Sequence, residues 1–109
     1  MDGQNDRPRA QLTLADGAGS SGLVVRIGGE LDLATVGELA APLKDLLARE
    51  PQPVVLELGG LDFMDSSGVA VLIRIANHFE RLETRGARPA VRRVIEVLGL
   101  SGRVGLEQV

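Results

Sequence analysis

Residues 65–68 read Asp-Ser-Ser-Gly, placing one carboxylate and two hydroxyls between the strand-like run Leu61-Asp62-Phe63-Met64 and the helically spaced Val69, Leu72, Ile73 and Ala76. The first amides of a helix lack intrahelical acceptors, so the side-chain oxygens of Asp65, Ser66 and Ser67 can cap that helix. A hydroxyl there is also a candidate phosphate acceptor. The partial positive charge of a helix start tolerates a phosphoryl group while presenting it outward. Taken alone, the tetrapeptide is ordinary helix-start chemistry, because Asp and Ser are favoured there for stability.

Other polar groupings have duller readings. Glu30-Leu31-Asp32-Leu33 reads either as an acidic edge for a partner or as a solvated turn before a helix whose first turn favours negative charge. Arg74, Arg81 and Arg85 with Asn77 read as a solvated helix face. His78 has no Ser, Cys or Asp neighbour at a spacing that indicates a triad and reads as a surface histidine. Gly28-Gly29 lacks the continuation of a phosphate-binding loop or a dinucleotide fingerprint and reads as a turn. No metal site, cofactor or catalytic constellation is expected, since no convergent base, nucleophile and oxyanion donor can be named.

Composition narrows the function classes. A chain of 109 residues is expected to form one domain. Its 44% hydrophobic content includes two Phe but neither Trp nor Tyr, which makes the core aliphatic and removes aromatic platforms for nucleic-acid bases. A formal charge of −3, from 15 acidic and 12 basic residues, gives no general attraction to phosphate backbones or anionic membranes. The lack of Cys excludes disulfides and thiolate metal sites and is compatible with the cytoplasm. Residues 1–10 mix Asp and Arg with Gly and Pro and are expected to be a disordered tail, leaving residues 11–109 as the domain. The longest apolar runs fall far below the roughly 20 residues needed to span a bilayer, so no membrane insertion is expected.

The elements that must position residues 65–68 follow from periodicity. Leu12 and Leu14 alternate with polar neighbours and, after the Gly- and Ser-rich residues 16–22, Leu23 begins a β-branched run, giving a β-hairpin. Ala34 and Thr35 open a helix with Val36, Leu39, Ala40, Leu43, Leu46 and Leu47 on one face, in which Pro42 implies a kink or a late start. Residues 54–58 are expected to be a central strand covered on both faces. The spacing of Val69, Leu72, Ile73, Ala76, Phe79 and Leu82 predicts a second helix reaching about Thr84, capped by Gly86. Pro89 opens a third helix with Val91, Val94, Ile95 and Leu98, closed by Gly99, and Val104 and Leu106 offer a last short strand. The fold class is α/β, a small sandwich of about four strands with three helices.

Together these pieces resemble the STAS domain, shared by anti-sigma factor antagonists and the cytoplasmic tails of sulphate transporters. The resemblance runs from Leu12 to about Leu106 and rests on Gly29-Glu30-Leu31-Asp32, on Phe63-Met64-Asp65-Ser66-Ser67-Gly68 and on Pro89-Ala90-Val91-Arg92-Arg93-Val94. It implies a noncatalytic partner switch. Ser67, with Ser66 as the alternative, would accept phosphate from an anti-sigma factor with serine kinase activity, and a phosphatase would remove it. Glu30, Asp32, Met64, Asp65, Ser66, Ser67 and Gly68 would face that partner, freeing a sigma factor when Ser67 is unmodified. A STAS subunit of a lipid or anion transport assembly is the alternative.

One segment departs from the family pattern. Members carry an apolar strand between the second and third helices, whereas residues 80–89 here read Glu-Arg-Leu-Glu-Thr-Arg-Gly-Ala-Arg-Pro. The unbroken periodicity through Leu82 favours a longer helix and a lost strand. Such a loss would expose a neighbouring strand edge and invite homodimerisation.

Overall fold

The computed structural model describes residues 9–17, 22–79 and 81–107. In chain order the strands and helices are β1 (Gln11–Asp16), β2 (Leu23–Leu31), a short 3₁₀ helix (Val36–Leu39), α1 (Ala40–Leu47), β3 (Pro53–Glu57), β4 (Leu61–Met64), α2 (Ser66–His78), β5 (Arg81–Arg85) and α3 (Pro89–Val97). The expected α/β class holds, with one strand more than the four anticipated. Strands run in the order β1-β2-β3-β5, with β1 antiparallel to β2 and the β2–β3 and β3–β5 pairs parallel.

β2 organises the sheet because its two halves have different neighbours. Leu23 to Arg26 pair with β3, and Gly29 to Leu31 pair with β4 across a register shift between Gly29 and Glu30. Gly29 has φ +90°, and an added Cβ would lie 1.7 Å from the Arg9 carbonyl oxygen, so only glycine fits where the strand changes neighbours. Glu30 and Leu31 are thereby carried to the start of α2.

Alternation decides which sheet face is covered. Leu12, Leu23, Val25, Ile27, Val54 and Leu56 are buried and join Leu43 and Leu46 of α1, Leu72 and Ile75 of α2, and Val91 and Ile95 of α3 in one aliphatic core. The other face carries exposed Thr13, Arg26, Glu83 and Arg85, with half-buried Val55 and Glu57. β3 is central as expected, but the expectation that both its faces are covered does not hold, because Val55 and Glu57 point to the open side. On that face Glu83 accepts a hydrogen bond from Arg85 Nε at 3.1 Å, and this contact raises the guanidinium above the ordinary arginine value.

The segment after α2 differs most from expectation. The helix stops at His78 instead of running to Thr84, and Phe79 takes an extended conformation with ψ 157°. Arg81–Arg85 then forms the strand expected to be lost, in register with β3 from Pro53↔Arg81 to Glu57↔Arg85. Three of its five residues face the open side of the sheet, so they are polar, and the inward Thr84 meets a polar partner by donating from Oγ1 to the Val104 carbonyl at 2.6 Å. A strand needs no hydrophobic run when half its side chains face water and its backbone is paired. With β5 on its flank, β3 has no free edge, which removes the edge argument for a homodimer. Arg81 and Arg85 consequently leave the helix face on which Arg74 and Asn77 remain. Gly86 follows β5 and does not cap α2.

Smaller adjustments follow the same logic. α1 makes the late start that Pro42 allows, since Pro42 sits in its first turn where a missing N–H costs no intrahelical bond. The last strand reduces to a single bridge between Thr84 and Leu106. Residues 1–8 of the expected tail lie outside the described residues. Ala10, placed with that tail by sequence, is buried, and its N–H donates to Glu38 Oε1 at 3.1 Å. No helix among the described residues is long and apolar enough to cross a membrane.

Candidate functional site

Asp65 ties three elements together. Its extended backbone (φ −110°, ψ −168°) makes it the N-cap of α2, and its Oδ1 accepts the Ser67 N–H at 2.8 Å. Its Oδ2 accepts the N–H of Leu33 at 3.3 Å, across from the loop after β2. Its own N–H donates to the Leu31 carbonyl at 3.2 Å. One carboxylate therefore fixes the helix start and the neighbouring loop at once.

That loop is also held from within. Asp32 Oδ1 accepts the N–H groups of Ala34 at 2.9 Å and Thr35 at 3.1 Å, a short-range turn that Asp favours. The buried Thr35 hydroxyl donates to the Glu30 carbonyl at 2.6 Å and accepts the Asp32 N–H at 3.1 Å. With its amide held by Asp65 and its neighbours by Asp32, Leu33 is left 78% exposed. Phe63, at the end of β4 two residues before Asp65, is 45% exposed.

The residues singled out from sequence divide into two sets. Asp65, Ser66 and Ser67 gather on the turn, with Ser66 exposed and Ser67 half-buried, and Glu30 and Asp32 lie on the adjoining strand end and loop. Met64 is only 1% exposed and Gly68 is buried, so in contrast to the expected partner-facing placement both are covered by the domain itself. Their role is to seat the helix: a Cβ on Gly68 would come within 2.5 Å of Met64 Cγ and 2.9 Å of the Leu31 carbonyl oxygen. Met64 belongs inside because β4 alternates, and the polar turn that exposes the serines begins only at Asp65.

Sequence reasoning missed the exposed apolar residues around this turn. Leu33 was readable as an apolar side chain in a turn that has no core to face. On α3, exposed Ala90, Val97 and Leu98 border the buried Val91 and Ile95, and together with half-buried Val94 and Ser66 of α2 they line a groove. Leu98, expected on the same face as Val91 and Ile95, is 48% exposed, and Val97 beside it is the apolar residue outside that set. His78, read as a surface residue, is half-buried and donates from Nε2 to the Arg49 carbonyl at 2.7 Å. Among the described residues no group of three or more Asp, Glu or His side chains is placed to hold a metal ion.

The family model described as "Mlab, STAS domain" matches residues 14–108. The chain belongs to the STAS domain family, among its anti-sigma factor antagonists. It is 33% identical over 92 residues to the anti-sigma-F factor antagonist RsfB of Mycobacterium tuberculosis, an alignment covering 82% of this chain and 74% of RsfB. It is 30% identical over 86 residues to an anti-sigma F factor antagonist of Paenibacillus polymyxa, covering 72% of this chain and 71% of that protein. The crystal structure of an anti-sigma factor antagonist from Mycobacterium paratuberculosis superposes with a TM-score of 0.74 at 25% identity, covering 92% of this chain and 86% of that one.

Proposed function

We propose that the chain works as a noncatalytic, phosphorylation-controlled antagonist that binds an anti-sigma factor with serine kinase activity and so frees a sigma factor. Ser67 accepts the phosphate, and Glu30, Asp32, Asp65 and Ser66 surround it at the docking face. A phosphatase resets the switch in the cytoplasm.

The observation that carries this reading is the double use of the Asp65 carboxylate, which holds Ser67 N–H and Leu33 N–H together. A phosphoryl group on Ser67 adds about −1.5 to −2 charge at neutral pH within the same turn. It repels Asp65 and places a hydrated bulk in an interface, while the helix start partly offsets the new charge, so the domain stays folded. Incubation of the full chain with its kinase partner and ATP tests the reading. Phosphate incorporation is expected in the wild type and lost in Ser67→Ala, and undiminished incorporation in that variant removes Ser67 from the role.

A further inference from the structure

The apolar face of α3 is wider than the core covers. Val91 and Ile95 are buried in the core and half-buried Val94 packs against it, whereas Ala90, Val97 and Leu98 border it as an exposed apolar stripe. Val97 is 71% exposed and Leu98 48%. With Arg93, and with Ser66 of α2 at its wall, this stripe lines an open groove of about 430 Å³. Val97 and Leu98, adjoining on one helix beside this groove, make an exposed apolar patch at this end of the molecule.

Charge selects the occupant. Among the three arginines at this end of the molecule, Arg88 is engaged by Asp62 at 3.2 Å and by the Gly59 carbonyl at 3.0 Å. Arg92 is engaged by Glu96 at 3.3 Å and by the Glu107 carbonyl at 2.8 Å. Arg93 is exposed and has no ion pair or hydrogen bond among the described residues. It stands beside the apolar stripe as an exposed cation open to a carboxylate of a partner.

Resting on the switch reading for the identity of the partner, we infer that this groove takes an amphipathic segment of the anti-sigma factor. The segment carries an apolar stripe for Val94, Val97 and Leu98 and a carboxylate for Arg93. The two serines then have separate tasks. Ser66 forms part of the groove wall and touches the partner, and Ser67, one residue on, carries the phosphate that disturbs the end of the same groove.

The test titrates the full chain against each purified serine-kinase anti-sigma factor of the source organism, with Val97→Asp, Arg93→Glu and, on the open sheet face, Arg81→Glu as variants. Val97→Asp and Arg93→Glu are each expected to weaken binding about tenfold or more, and Arg81→Glu to leave it unchanged. Neither Val97 nor Arg93 is buried, and circular dichroism melts of the variants are expected to match the wild type. A partner carrying a Lys in place of the facing carboxylate should recover affinity for Arg93→Glu. Wild-type binding that is unaffected by both groove variants overturns the groove and leaves the switch standing. Failure of the wild type to bind any of these proteins overturns the switch reading and this occupant together. A wild-type dimer in sedimentation that Val97→Asp converts to monomer makes the groove a contact between copies of this chain and overturns the proposal.

Discussion

The two ends of α2 are built by different physics. At its start, Asp65 accepts the amide two residues ahead, and Gly68 lets the first turn settle against Met64 and Leu31. All but one of those participants lie within five residues of chain. At its end no side chain caps the helix: the Phe79 N–H still reaches the Ile75 carbonyl at 3.1 Å, but its ψ of 157° already belongs to a strand. The chain turns away because β3 offers an edge, because Phe79 buries, and because Thr84 finds the carbonyl of Val104 twenty residues on. A local cap is portable and an end set by pairing is not, so the two should fail differently.

The largest expected effect is at the nonlocal end. Phe79→Ala removes a buried ring that joins α2 to β5 and should cost about 3–5 kcal/mol in urea unfolding. Hydrogen exchange should speed up through β5 before it does so at the start of α2, and uniform loss of protection would show that the two ends are one cooperative unit. Thr84→Val keeps the side-chain shape but strips the Val104 carbonyl of its buried donor, at a cost of about 1–3 kcal/mol. Asp65→Ala deletes only a cap and should cost about 0.5–2 kcal/mol, with faster amide exchange confined to Leu33 and Ser67. An Asp65→Ala loss as large as that of Phe79→Ala would contradict the contrast between a locally and a distantly determined end.

The site shares this division. The turn 65–68 was legible because its polar atoms act on backbone groups a few positions away, and such chemistry depends little on the rest of the fold. The burial of Met64 and Gly68 was not legible, because burial depends on what covers a residue, here β2 and the seat of α2. Leu33 and Val97 escape the sequence pattern, and Leu98 reads as core, for the converse reason. An apolar side chain in sequence looks like core until the core is seen to be filled without it.

By itself the sequence determined the hairpin, the presence and order of the three helices, the aliphatic core and the polar start of α2, since each depends on short-range periodicity, caps and turn residues. Only the tertiary structure decided that residues 81–85 form a strand, that one sheet face stays open, and that Leu33, Val97 and Leu98 remain outside. The reason is that Arg-Leu-Glu-Thr-Arg has no strong preference of its own. The free edge of β3 and the carbonyl of Val104 select its conformation, and both come from distant parts of the chain.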